Sequence, residues 1–254
     1  MKTNTYFFSI VLLCALTFVM SGGSASRAWA EPKTLFGEST PLGQGTARSF
    51  VMLDDQGKPV SIGIALTKTA LSGLPQGPMP SELTLALPEK VAVPPFDHIS
   101  VDWNPQGHEP AGIYDVSHFD FHFYFIPSTE QDKISENDMA QFAKAPSAEY
   151  LPTDYKPIPG GVPRMGAHWF DPMSPEFQGK PFTATFIYGT YDGRVIFYEP
   201  MIASAVLETK QNFSSEIKQP TAFQKSGYYP KTYRSVYDET TGEYRISLDE
   251  LTSH

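Results

Sequence analysis

Apolar and polar residues alternate without a break along His118–Phe125. Only a strand, whose successive side chains point to opposite faces, has this period of two. One face carries four phenylalanines, which is enough to anchor a core. The opposite face carries His118, Asp120, His122 and Tyr124. This polar face is the most informative feature of the chain.

Further strands are predicted where short apolar runs are bounded by Gly, Pro, Asn or Asp. Turns rich in Gly and Asp at residues 54–59, 191–193 and 239–242 join six of them into three hairpins. Ser135–Asp138 has the composition of a helix cap, so a short helix is expected from Met139 onwards. The predicted strands are Ala47–Leu53, Val60–Leu66, Ser81–Leu87, His98–Trp103, Phe182–Tyr188, Arg194–Leu207, Thr232–Tyr237 and Tyr244–Leu248.

Composition agrees with these short strands. Pro (23 residues) and Gly (19 residues) are spread along the chain, 13% of residues are aromatic, and no long apolar stripe at helical spacing occurs. The sequence therefore predicts an all-β fold, an antiparallel β-sandwich or a cupin-like barrel, with one short helix. Such folds often exceed about 200 residues as one domain, so residues 31–254 are expected to form a single β-rich domain.

The first 30 residues have the three-part layout of a cleavable signal peptide. Lys2 gives a positive start, an apolar stretch runs from Tyr6 to Met20, and Ala28-Trp29-Ala30 ends the segment. This stretch is shorter than the roughly 20 residues that a membrane-spanning helix needs. We expect cleavage after Ala30, a periplasmic or secreted protein, and no stable membrane insertion afterwards.

Cleavage removes Lys2, Arg27 and Cys14, the only cysteine of the 254 residues. The mature chain then has no cysteine for a disulfide. Its formal charge changes from −9 to −11, because no acidic residue is removed. Nucleic acids and anionic lipids favour clustered Lys and Arg. The sequence has no such cluster, so no nucleic-acid partner is expected.

The polar face of His118–Phe125 carries two imidazoles that flank a carboxylate, a ligand set suited to divalent metals. Because a strand rises about 3.3 Å per residue, His118 and His122 lie roughly 13 Å apart, too far to share an ion. Asp120 lies about 7 Å from either histidine. One regular strand therefore supplies two ligands, and a bulge is needed for three.

Other parts of the chain offer further ligands. Glu199 is a carboxylate amid apolar residues, where its burial is costly unless it is paired or coordinated. His108 and Glu109 lie on the loop before the His-rich strand, and whether they join the site stays open. The expected ion is zinc, iron or manganese. The predicted metal ligands are His118, Asp120, His122, His168 and Glu199, with His122 and His168 as the central pair.

Each candidate also has a purely structural explanation. The polar face of the strand would simply meet solvent, as in many half-buried antiparallel strands. His168 would bond to a backbone carbonyl, and His108 would be an ordinary turn residue. Glu199 would pair with Arg194 or Arg164.

Four stretches together resemble an exported bacterial family of unknown function: Gly107–Pro110, His118–Tyr124, Met165–Trp169 and Phe186–Met201. The similarity spans Thr46 to about Glu208. A thermophile member of that family is a β protein controlled by an extracytoplasmic sigma/anti-sigma pair. The resemblance implies a β architecture and a homo-oligomer, and it brings no assigned activity.

Three functions remain open at this level. The protein binds a divalent metal as an exported, stress-related envelope protein, or the same site is catalytic in a hydrolase, lyase or oxygenase of cupin-like type. Alternatively, the chain is a structural or interaction module without metal. The absence of a Gly-x-Ser-x-Gly elbow disfavours a serine hydrolase, and the absence of a phosphate-binding Gly loop disfavours nucleotide chemistry.

Overall fold

The computed structural model describes Met1 and residues 33–77 and 81–254. The predicted signal peptide, residues 1–30, therefore lies outside the described residues apart from Met1. The described strands are β1 (Lys33–Phe36), β2 (Thr40–Leu42), β3 (Gly45–Leu53), β4 (Pro59–Thr67), β5 (Ser81–Ala86), β6 (His98–Asn104), β7 (His118–Tyr124), β8 (Lys156–Pro157), β9 (Ala167–Phe170), β10 (Ala184–Tyr191), β11 (Arg194–Ala203), β12 (Phe213–Glu216), β13 (Tyr228–Tyr229), β14 (Thr232–Asp238), β15 (Glu243–Asp249) and β16 (Thr252–Ser253).

Helical segments are few and short. The α-helices are α1 (Ser128–Gln131), α2 (Met139–Phe142) and α3 (Ser204–Glu208), and 3₁₀ turns occur at Lys68–Leu71, Ala148–Tyr150 and Pro175–Gln178. Helix α2 lies where the sequence predicts the single short helix, so the described residues contain two α-helices beyond that prediction.

Two antiparallel seven-stranded sheets share one apolar core. The first sheet has the order β1-β3-β4-β15-β14-β12, with β2 also paired to β3, and the second has the order β5-β6-β7-β11-β10-β9-β8. Ile64 and Ile246 from the first sheet and Val101 and Phe121 from the second belong to the same buried cluster. The sandwich prediction is confirmed. The described strands form no closed barrel, so the cupin-like alternative is wrong.

The hairpins predicted from Gly and Asp form as expected. Asp192 and Gly193 both have positive φ, at 49° and 76°, which gives the two-residue turn whose twist suits a β10–β11 hairpin. The predicted strand Arg194–Leu207 is too long at its end, because the chain turns into α3 after Ala203. The Ser204 N–H donates to Ser117 O (2.9 Å), and Leu207 packs into the core.

Strand β7 is buried along its whole length, on both faces. Its phenylalanine face contributes to the shared core. The face with His118 and His122 is covered by loops, and both of these side chains have 0% exposure. The solvent explanation for this face is therefore wrong. We call the side of the second sheet that carries these histidines the outer face.

Two small apolar clusters occupy the outer face. One contains Ile134, Phe142 and Phe197, and the other contains Tyr114 and Phe182.

No helix of the described chain has the length and apolar character needed to span a bilayer.

Candidate metal centre

Strand pairing brings a second row of polar residues beside β7. Strand β6 also alternates with a period of two, and its register places Ser100 opposite His122, Asp102 opposite Asp120 and Asn104 opposite His118. All three β6 side chains are buried. Side chains directly opposite one another in a sheet share a face, so the outer face carries a buried polar cluster.

The His122 group consists of His122, His168 and Glu199. Their candidate ligand atoms all lie within 4.8 Å of one another. His122 Nε2 is 3.4 Å from Glu199 Oε1, and His168 Nε2 is 3.7 Å from Glu199 Oε2. Strand β11 lies beside β7 and supplies Glu199, and β9 supplies His168 through its pairing with β10. Three strands of one sheet therefore position this group.

Asp102 approaches the far side of the His122 ring. Its Oδ2 atom lies 2.9 Å from His122 Nδ1, and the Ser100 hydroxyl donates to the same oxygen (3.3 Å). A carboxylate behind an imidazole is the usual arrangement for a metal-binding histidine, because it fixes the ring and makes it more basic. Among the described residues, neither nitrogen of His122 has a hydrogen-bond partner with acceptable geometry, and Glu199 Oε2 has none.

The His118 group consists of His108, His118 and Asp120, whose candidate ligand atoms also lie within 4.8 Å of one another. His108 belongs to the loop between β6 and β7. Gly107 directs this loop: its φ is +73°, and a Cβ atom there would lie 1.9 Å from Tyr114 O. Glycine is thus required for the close approach that returns His108 to β7.

Burial and neighbouring charges act against each other in this cluster. Burial lowers the pKa of His122, but the Glu199 and Asp102 carboxylates outweigh it and raise the pKa to about 9. Burial raises the pKa of Glu199 to about 8. Burial and the nearby imidazoles of His122 and His108 lower the pKa of His168 to about 3. At neutral pH His168 is uncharged and can bind a metal without losing a proton. His122 retains a proton that a metal must displace.

In the His118 group, burial and neighbouring charges also have opposite effects on the pKa values. Burial lowers the pKa of His108, but hydrogen bonding and the charge of Asp120 outweigh it and raise the pKa to about 9. Burial would raise the pKa of Asp120, but His118 and His108 outweigh it and hold the pKa well below its usual range. Asp120 is therefore an anion at neutral pH.

One cavity of about 370 Å³ opens onto both groups. His108 and Asp120 line it from one group, and His168 and Glu199 line it from the other. Its remaining wall is mostly apolar and includes the loop at residues 158–162. No Lys or Arg occurs among the described residues that line the cavity. A cationic ligand suits such a site on charge grounds.

The five predicted ligands all lie on the outer face, but they divide between two groups. His122, His168 and Glu199 are brought together, whereas His118 and Asp120 join His108 instead. Glu109 lines the cavity, and its Oε2 accepts a hydrogen bond from Ala111 N (2.7 Å). His108 therefore joins the candidate ligands, which the sequence left open.

The arginine explanation for Glu199 is not what the structure shows. Arg164 pairs with Glu82 and Asp132, and Arg194 pairs with Glu130. Among the described residues, the ion-pair partners of Glu199 are His122 and His168 alone.

Asp102 and Asn104 are functional candidates that the sequence reasoning missed. The signal was present, because His98–Asn104 alternates polar and apolar residues just as the His-rich strand does. Asn104 Nδ2 donates to Asp120 Oδ2 (2.8 Å), so these β6 residues hold the carboxylate and the imidazole that β7 presents.

Residues 54–103 match a family model described as TTHB210-like, hypothetical protein TTHB210. The match runs from the turn after β3 to the penultimate residue of β6. It includes Asp102 but none of the six residues of the two groups. The chain is thus similar over this range to proteins of unknown function. No curated protein and no solved structure matches the chain.

Proposed function

We propose that this protein is an exported metal-binding protein whose His122 group holds a divalent cation. Zinc, iron and manganese are the ions that suit two imidazoles and a carboxylate. By analogy with the resemblance described above, the protein serves the cell envelope under stress. We also propose that it acts as a homo-oligomer in the periplasm or outside the cell.

The observation that carries the proposal is the lack of partners for buried polar atoms that face one another. Both ring nitrogens of His122 and Glu199 Oε2 are buried, and none of the three makes a hydrogen bond within the described part of the chain, although they lie in the same group. Buried polar groups are normally satisfied, and an unpaired buried carboxylate is costly. One cation would satisfy His122 Nε2 and Glu199 Oε2 together, while His122 Nδ1 faces the Asp102 carboxylate.

The metal content of untagged protein purified from its native compartment tests the proposal. We expect zinc, iron or manganese to co-purify, as measured by inductively coupled plasma mass spectrometry. Protein recovered there should begin at Glu31. Protein that contains none of these metals, and takes up none on titration, would contradict the proposal and favour an interaction module.

His122→Ala is the sharpest variant, and His98→Ala is its matched control. His98 is also a buried imidazole on the outer face, but it bonds to Asp97 and Gln131 and belongs to neither group. We expect His122→Ala to weaken zinc binding at this group at least about 10 to 100-fold, while His98→Ala binds as wild type in a chelator competition assay.

A second control addresses the fold rather than the site. Phe121 points into the shared core on the opposite face of β7, so Phe121→Leu should cost stability and spare metal binding. Wild-type metal content and affinity in both His122→Ala and His168→Ala would rule out this metal site.

A metal-dependent enzyme is the second candidate, and the cavity favours it. Three protein ligands leave at least one coordination position free, which is the pattern of catalytic rather than structural zinc sites. Here two of the ligands, His168 and Glu199, line a cavity of about 370 Å³, which lies within the size range of small-molecule sites. A bound water in that position would be activated for hydrolysis.

A further inference from the structure

The His118 group has the features of a ligand set in its own right, separate from the metal site proposed above. His118 donates its Nδ1–H to Val116 O (2.7 Å). A backbone carbonyl only accepts, so the neutral ring keeps its lone pair on Nε2. That lone pair lies 3.2 Å from Asp120 Oδ1, which is itself an acceptor.

Neither of these two atoms has a partner. His118 Nε2 and Asp120 Oδ1 are both buried, and neither makes a hydrogen bond among the described residues. Adding a proton to Nε2 does not solve the problem, because the resulting N–H would not point at the carboxylate oxygen closely enough to form a hydrogen bond. Two unpartnered lone-pair atoms 3.2 Å apart in a buried site instead suit a cation that both can coordinate.

His108 approaches Asp120 from the other side. Its Nδ1–H donates to Glu109 O (2.6 Å), and its Nε2 makes a hydrogen bond with Asp120 Oδ2 (3.3 Å) that a metal ion would replace. Asn104 holds the carboxylate through the same oxygen. Metal-binding histidines commonly donate their other ring N–H to a carbonyl or carboxylate, which fixes the tautomer and the ring orientation. Both imidazoles of this group are fixed in that way.

We propose that the cavity holds two divalent cations, the second bound by His108, His118 and Asp120. This inference rests on the proposed metal site at the His122 group and adds a neighbour to it. The second ion is of the same class, a borderline cation such as zinc, because its ligands are again two imidazoles and a carboxylate. Each ion keeps open coordination positions toward the shared cavity.

Zinc stoichiometry of the mature chain tests the inference. Metal-free protein is titrated with Zn²⁺ by isothermal calorimetry, and bound zinc is measured after dialysis. We expect two ions per wild-type chain, one in His118→Ala, one in His122→Ala and none in the double variant. His98→Ala should bind two. His108→Ala, at an exposed loop position, should also bind one, and it replaces His118→Ala should that variant fail to fold.

The outcomes separate the two proposals. One ion per wild-type chain, retained in His118→Ala and His108→Ala but lost in His122→Ala, overturns the second site and leaves the first. A single ion that is lost in every one of these variants also overturns the second site, since all the ligands then share one ion. No zinc in the wild type overturns both.

Discussion

Burial and neighbouring charges have opposite effects on the pKa of His122. Its side chain is inaccessible to solvent, and carboxylates lie near both ring nitrogens, at 2.9 Å and 3.4 Å. The carboxylates prevail and raise the pKa to about 9. In the metal-free protein a proton thus balances part of the charge that a cation would balance, so metal and proton compete for this ring.

Proton release on metal binding follows from this competition. At pH 7 the ring of His122 is protonated, since its pKa is about 9, and the pKa of Glu199 is raised to about 8. Zinc must displace both protons, so binding at pH 7 should release up to two protons per ion. Each released proton adds a factor of ten per pH unit, so the apparent affinity should rise up to about a hundredfold between pH 7 and 8 and up to about tenfold between pH 8 and 9.

Calorimetry in buffers of different ionisation enthalpy measures this release directly. His98→Ala should release as many protons as wild type, because His98 belongs to neither group. A binding heat that does not change between buffers at pH 7 would show that no proton is displaced, and that the ring is neutral before the ion arrives.

At the scale of elements, a glycine in β10 allows the His122 group to form. Gly189 pairs with both His168 and Phe197 across neighbouring strands. The Phe197 ring lies over this glycine, with its centroid 4.9 Å from that of His122 and 5.4 Å from that of His168. A Cβ atom at residue 189 would lie 2.1 Å from the Phe197 ring.

Gly189→Ala should therefore displace Phe197 and, with it, the two imidazoles that Phe197 contacts. Overpacking of this kind costs roughly 1 to 3 kcal/mol of unfolding free energy, measured by urea denaturation of the metal-free protein. Zinc binding at the His122 group should weaken as well. Gly77→Ala is the control, since a Cβ atom there would meet nothing within 4 Å. Addition of Phe197→Leu should restore part of both losses, and no rescue would argue against this coupling.

The sequence predicted the long strands well, because their side chains alternate with a period of two. Strand β7 and the β14–β15 hairpin lie within one or two residues of their predicted bounds. Short strands such as β2 and β13 have only three and two residues, which is too few for any period to appear. The predicted end of β11 was wrong, because Ala205, Val206 and Leu207 are apolar and suit a helix as well as a strand.

At the scale of the whole molecule, the candidate site could be predicted only in part. Local spacing was sufficient to select residues of β7 and to separate His118 from His122. The division into two groups depends on how a loop returns to the sheet, as at His108, and on which strands become neighbours. Pairing of β11 with β7 joins residues about 80 positions apart, and such long-range pairing is not encoded in any local pattern.

Metal binding should stabilise the whole sandwich, because the His122 group draws its ligands from β7, β9 and β11 and therefore forms only in the folded chain. An ion that binds only the native state adds about 2.7 kcal/mol when its free concentration is about 100 times Kd. For a chain of this size that corresponds to a rise in Tm of roughly 5 to 10 °C. Thermal unfolding followed by circular dichroism, with zinc and then with excess chelator, measures the shift. The His118→Ala/His122→Ala double variant should show no zinc-dependent shift. Equal Tm values for the zinc-loaded and chelator-treated wild type would mean that the folded chain does not bind the ion.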